Sequence, residues 1–187
     1  MREGGWHWLH QVHGGDVRVV GVSDPTGEDG DALVAASPAS LAVMVADCTP
    51  VLLASPEGII ASVHCGWRGL VAGVIPAAVE VMRAQGARRI QSAVGPCIGS
   101  ECYEFGEEDL ERVEAAFGGN RPGVRAAAAS GKPALDLRRA VGHLLAAEGV
   151  ETVYRDGRCT ACEASRYYSA RARGEAERQA GLIWRKG

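Results

Sequence analysis

The chain has 187 residues, 47% of them hydrophobic, with a formal net charge of -3 and six cysteines. That is the length of one domain with enough apolar residues for a substantial core, and it carries no basic footprint for nucleic acid. No apolar run reaches the roughly 18 residues that suggest a membrane span, and Met1 to His10 lacks the apolar region of a signal peptide. A cytoplasmic protein is expected, without membrane or nucleic-acid partners, its cysteines serving as thiols or ligands rather than as disulfides.

In chain order, Trp6 to Asp16 reads as a strand running into the turn Gly14-Gly15, and Val17 to Val22 as a second strand. His13 stands just before that turn, where its imidazole is uncrowded. Ser23 to Asp31 is polar and turn-rich; Asp29-Gly30-Asp31 lacks the further oxygen ligands of a calcium loop and reads as plain loop. The apolar run from Leu41 ends at Asp47-Cys48, and Pro50 to Ala54 and Ile59 to Val63 flank Ser55-Pro56-Glu57-Gly58 as two buried strands about a tight turn. Adjacent strands with no helix between them predict an α+β fold, not a doubly wound sheet.

Leu70 to Gln85 has helical spacing of apolar residues and stops at Gly86, with Pro76 marking a kink or a late start; its N-terminus would face the region of His64 and suit an anion. Ile90 to Val94 is a strand and Gly95 to Glu104 a loop. Helices follow over Glu107 to Phe117 and Asp136 to Glu148, then strands over Thr152 to Arg155 and Gly181 to Trp184.

His13, Cys48 and His64 supply two imidazoles and a thiolate, ligands suited to zinc, and three protein ligands leave a fourth position for water or substrate. Cys159-Thr160-Ala161-Cys162 has the spacing of half a structural zinc site, with no matching half elsewhere because Cys97 and Cys102 are five apart. The His-x-Glu and Pro-Cys-x-x-Cys signature of cytidine deaminases is absent. Five histidines are too few for a blue-copper site and a trinuclear cluster together, although a single copper could enter a His-Cys-His site in vitro.

Four motifs in order, Gln11-Val12-His13-Gly14, Ala46-Asp47-Cys48-Thr49-Pro50, Val63-His64-Cys65-Gly66-Trp67-Arg68-Gly69 and Gly95-Pro96-Cys97-Ile98-Gly99 with Cys102-Tyr103-Glu104, resemble the laccase-domain, or polyphenol-oxidase, family. That family is also described as purine nucleoside phosphorylase with adenosine deaminase activity and as peptidoglycan editing factor. Arg171, Arg178 and Leu182-Ile183-Trp184 are similar to its closing segment. The match starts almost at Met1, where family members carry some tens of residues more, and Cys65, Ala170 and Ala172 replace residues common in the family.

The resemblance implies a mixed β core flanked by helices, of the cytotoxic necrotizing factor-like cysteine-hydrolase type, and a zinc ion held by His13, Cys48 and His64. It implies phosphorolysis of purine nucleosides such as adenosine and inosine, with methylthioadenosine as a further substrate and adenosine deamination as a second reaction. Arg68 is then expected to contact an anion such as phosphate, and Asp47 to orient a ligand histidine or cap a turn. Three alternatives stand beside this: copper-dependent polyphenol oxidation, a Cys48–His64 amidase acting on peptidoglycan precursors, and metal binding without catalysis.

Overall fold

The computed structural model describes residues 5–21 and 24–186. Its centre is a hairpin of β4 (Thr49–Ala54) and β5 (Ile60–Cys65), with Pro50 opposite His64 and Ala54 opposite Ile60. The turn between them closes through Gly58 at φ 86°, a left-handed conformation that favours glycine. Around this hairpin a six-stranded mixed sheet is ordered β1-β2-β5-β4-β6-β9, where β1 is Val17–Val20, β2 Ala32–Ala35, β6 Gln91–Val94 and β9 Glu151–Arg155. The outer pairs β1–β2 and β6–β9 are parallel and the inner pairs antiparallel.

Side chains alternate across a strand, and that alternation sorts β5 into two layers. Ala61, Val63 and Cys65 join a core with Ile75, Val79 and Met82 of α2 (Val74–Ala84) and Val141 and Leu145 of α4 (Leu137–Ala147). Ile60 faces the other way, into a smaller cluster with Leu33, Ala35 and Leu41. Leu41 belongs to β3 (Ser40–Val45), which pairs antiparallel with β10 (Gln179–Trp184) to form a ribbon over that second face. Each large aliphatic side chain buried in these layers contributes roughly 1.5–3 kcal/mol relative to exposure. A mixed α+β fold with helices flanking a mixed sheet is therefore what the sequence forms.

Several expectations need correction. Trp6 to His13 forms no strand; it makes only isolated bridges, from His7 to Leu41 and from His10 to Asp29. The strand expected to reach Val22 ends at Val20, and Val22, with Ser23 at the head of the expected loop, lies outside the described residues. The single helix expected over Leu70 to Gln85 is two: α1 (Trp67–Val71) and α2, separated where Gly73 takes φ 79°. Pro76 then falls in the first turn of α2, where a missing N–H costs nothing. α3 (Glu107–Ala116) and α4 match expectation, and Asp136 caps α4 by accepting from the Arg139 amide. Four short elements were not anticipated: β2, β7 (Arg125–Ala127) and β8 (Pro133–Leu135), which pair as a hairpin, and α5 (Ala170–Arg173). Among the described residues no helix is long and apolar enough to cross a membrane.

Candidate metal centre

The sheet brings His13, Cys48 and His64 together so that one ligand atom from each lies within 4.8 Å of the others. His64 sits inside β5 on the face opposite its neighbour Cys65, which is wholly buried against the helices and takes no part. Cys48 immediately precedes β4. The two imidazole rings meet edge to face with centroids 4.7 Å apart. Gln11 fixes the His13 loop to β3, its amide donating to Met44 O (2.7 Å) and accepting from Met44 N (2.8 Å).

Asp31 organises the centre. Its Oδ1 hydrogen-bonds His64 Nδ1 at 2.7 Å, which leaves Nε2 as the ligand nitrogen, and the same carboxylate accepts from the amides of His13 (2.9 Å), Gly14 (2.6 Å) and Val12 (3.3 Å). Burial works against its charge, yet the bonds from His64 and the two nearer amides outweigh burial and hold its carboxyl below the usual carboxylate range. His13 is pushed down by burial and by His64, which favours the neutral, ligating imidazole. Cys48 is pushed up to about 12 by burial and then by neighbouring Asp47, so it remains a thiol at neutral pH unless a cation binds it.

Backbone conformation is spent at the same place. Among the described residues, the non-glycine residues with positive φ are His13 (61°) and Asp47 (86°), one a candidate ligand and the other adjacent to one. Gly66 completes the cradle: a Cβ there would lie 2.8 Å from Cys48 Sγ and 3.2 Å from His13 Cδ2. Two imidazoles, one thiol, a carboxylate behind one imidazole and a glycine that makes room for the ligands fit a zinc-type centre with an open coordination position.

Two cavities share His13, Ala46, Cys48 and Ala170 in their walls. One, of about 440 Å³, extends past His64, Trp8, Gln11 and Arg178. The other, of about 380 Å³, is bounded by Trp67, Arg68, Tyr103 and Arg171. Arg68 is exposed, stacks 4.4 Å from the Trp67 ring centroid and pairs with no carboxylate among the described residues. The Arg171 guanidinium lies 5.0 Å from the centroid of Tyr103, whose phenol burial pushes up to about 12.

Asp47 does not face a histidine. Its carboxylate accepts from Thr160 Oγ1 (2.6 Å), Ser169 Oγ (3.0 Å) and the Arg171 amide (2.7 Å), so the role expected of it behind a histidine belongs to Asp31. In the sequence Asp31 closes a turn-like triplet, which hides its role; the signal that points to it is its place directly before the buried run Ala32–Ala35. The remaining histidines stand apart: His7 bonds Asp24, His10 bonds Asp29 and His143 bonds the Pro122 carbonyl.

A helix-flanked mixed sheet with two histidines and a cysteine converging beside its central hairpin defines the class. The sequence model of the multi-copper polyphenol oxidoreductase laccase family matches residues 1–186, and the chain belongs to that family. It is 42% identical over 186 residues to a purine nucleoside phosphorylase of Streptomyces griseus, covering 95% of this chain and 73% of the relative. It is 40% identical over 139 residues to an adenosine deaminase from an unknown prokaryotic organism, covering 72% of this chain and 53% of the relative. The fold is similar to the crystal structure of YlmD from Geobacillus stearothermophilus, with a TM-score of 0.86 and 30% identity over 97% of this chain and 74% of that one. The relatives are thus named as enzymes acting on small molecules.

Proposed function

We propose that the chain is a zinc-dependent purine nucleoside phosphorylase of the cytoplasm, and that the same centre deaminates adenosine. The observation that carries the reading is the convergence of His13, Cys48 and His64 in the wall between two cavities, one of which presents Arg68 and Arg171. The names of the relatives supply the reaction class.

In phosphorolysis a phosphate oxygen forms a bond to C1′ of the ribose, the glycosidic bond to the purine breaks, and the base leaves with the electron pair and gains a proton. Arg68, in the first turn of α1 four residues after His64 and paired with no carboxylate among the described residues, can present its guanidinium fork to phosphate oxygens. Tyr103, held protonated, can donate a hydrogen bond to substrate in the same cavity. His13, Cys48 and His64 would hold the ion, with Asp31 fixing the His64 ring; Cys48 gives up its proton on binding. When bound, zinc supplies Lewis acidity toward phosphate or ribose oxygens and lowers the pKa of water for deamination.

The test measures adenine and hypoxanthine release from adenosine and inosine, with and without phosphate, for metal-defined wild type and Cys48→Ala. Phosphate-dependent release that disappears in the variant is expected, with inosine formed from adenosine as the sign of deamination. Zinc-loaded protein without turnover overturns the reading and leaves metal binding without catalysis.

One observation favours a second reading. Asp31, His64 and Cys48 stand in the order of a carboxylate–imidazole–thiol nucleophile system, which would suit an amide in a peptidoglycan precursor. Chelation separates the two, since it abolishes activity of a zinc enzyme and releases activity of a thiol enzyme. Copper at the same three ligands would give laccase-like oxidation, but His7, His10 and His143 bond Asp24, Asp29 and the Pro122 carbonyl instead of joining the cluster, and a multicopper centre needs more imidazoles than two.

A further inference from the structure

Parallel strands β6 and β9 leave the sheet side by side, so the loops that follow them meet. Cys97 bridges to Cys159 in parallel, and the Thr160 amide donates to Cys97 O. The meeting places Cys159 and Cys162 from one loop against Glu101 and Cys102 from the other, with a ligand atom of each within 4.8 Å of all the others. The Cys-x-x-Cys half-site therefore does have a second half, made of two adjacent residues from the neighbouring loop and not of a second Cys-x-x-Cys. Cys97 is excluded from it and lies wholly buried.

We propose that Cys102, Cys159, Cys162 and Glu101 bind a structural zinc ion, separate from the centre formed by His13, Cys48 and His64. The geometry is close to what four-coordination needs. With zinc–sulfur bonds of about 2.3 Å, a tetrahedron has edges of about 3.8 Å. Here Cys102 Sγ and Cys162 Sγ are 3.4 Å apart, and Cys162 Sγ is 3.6 Å from Glu101 Oε1. The Gly99 amide donates to Cys159 Sγ at 3.1 Å, a bond that favours sulfur carrying negative charge. Three soft sulfur ligands and one carboxylate select zinc over magnesium or calcium, and four protein ligands with no open position make the site structural.

The site has a mechanical consequence. Tyr103, next to Cys102, walls the cavity shared by His13 and Cys48, and Thr160, next to Cys159, donates to Asp47. An ion clamping the two loops would hold both residues in place without touching the reacting atoms. The inference does not depend on the proposed reaction.

The experiment titrates cobalt(II) into reduced, metal-free full-length protein and reads bound metal by mass spectrometry together with thiolate-to-cobalt absorption. Two ions per chain are expected. Cys48→Ala should keep one, with an intense absorption from three thiolates; Cys162→Ser should keep one, with the weaker absorption of a single thiolate. Glu101→Gln alters an exposed residue and guards against misfolding; it should weaken the three-thiolate site at least tenfold and leave the other unchanged. A single ion per chain that vanishes in Cys48→Ala overturns the proposal. So does cobalt binding that neither Cys162→Ser nor Glu101→Gln changes, or a Cys102–Cys162 disulfide that persists in metal-loaded protein under thiol reductant.

Discussion

Asp31 serves four donors with two oxygens, and nothing of similar size can replace it. Asparagine keeps one acceptor and turns an NH2 toward groups that are themselves donors. Asp31→Asn is therefore expected to lower metal affinity at the His13–Cys48–His64 centre by about 10–100-fold, measured by competition with a chelator, and to cost about 1–3 kcal/mol of stability. Asp29→Asn is the control: Asp29 is exposed on His10, and its loss should stay within about 0.5 kcal/mol. At this scale the sequence was partly legible. Imidazole and thiol at the ends of apolar runs advertise ligands, so His13, Cys48 and His64 could be named, whereas a carboxylate two residues from Asp29 looks like turn chemistry. What separates Asp31 from Asp29 is burial, which depends on a strand of four residues too short to stand out.

Elements place these residues by alternation and by close approach. His64 and Cys65 are neighbours on one strand, yet the pleat sends one to the candidate metal centre and the other to the helical core, as an extended strand through both positions requires. Gly66 follows with an ordinary extended backbone (φ -82°, ψ 172°), so a side chain there brings no backbone strain, only contact with Cys48 and His13. Gly66→Ala is expected to weaken metal binding and activity at least tenfold while the thermal midpoint moves by only a few degrees, as read by paired metal titration and thermal melts. At α4 the effect should be reversed: Asp136→Ala removes the cap on the Arg139 amide and should cost about 1 kcal/mol in urea unfolding without changing metal affinity. Helical periodicity made α3 and α4 readable. The break between α1 and α2 was hidden because apolar residues recur across Gly73, and β7, β8 and α5 have only three or four residues each, too few to show a period.

Over the whole molecule, Asp47 ties the central hairpin to the far end of the chain. Its partners Thr160, Ser169 and Arg171 are more than a hundred residues away in sequence, and its own carbonyl accepts from Ile98. Asp47→Ala strands several buried donors at once and should cost about 2–5 kcal/mol, visible as a lower urea midpoint. Asp156 gives the fold a pH signature at the end of β9. The Arg158 guanidinium and backbone amide hydrogen-bond it through both oxygens, Tyr154 adds a further donor, and its carboxyl is held down to about 2 despite burial. A depressed folded pKa stabilises above the unfolded value near 4 and is lost as pH falls toward 2. Wild type should exceed Asp156→Asn by roughly 1–2 kcal/mol at pH 7, allowing for solvent around Arg158, and the gap should close between about pH 4 and pH 2. No sequence pattern announces such pairings, since they depend on which loops the strand order brings together; the meeting of Glu101-Cys102 with Cys159 and Cys162 is the plainest case.

The order of the ligands along the chain has a consequence for synthesis. His13, Cys48 and His64 have all been made about 120 residues before β10, the strand that covers β3, is complete. At a ribosomal pace of about 5–20 residues per second, these three residues are made several seconds to half a minute before β10 can pair with β3. On the proposed metal reading, an ion that binds during that interval would be selected by the three ligands and by the metals then available, before the β3–β10 ribbon forms.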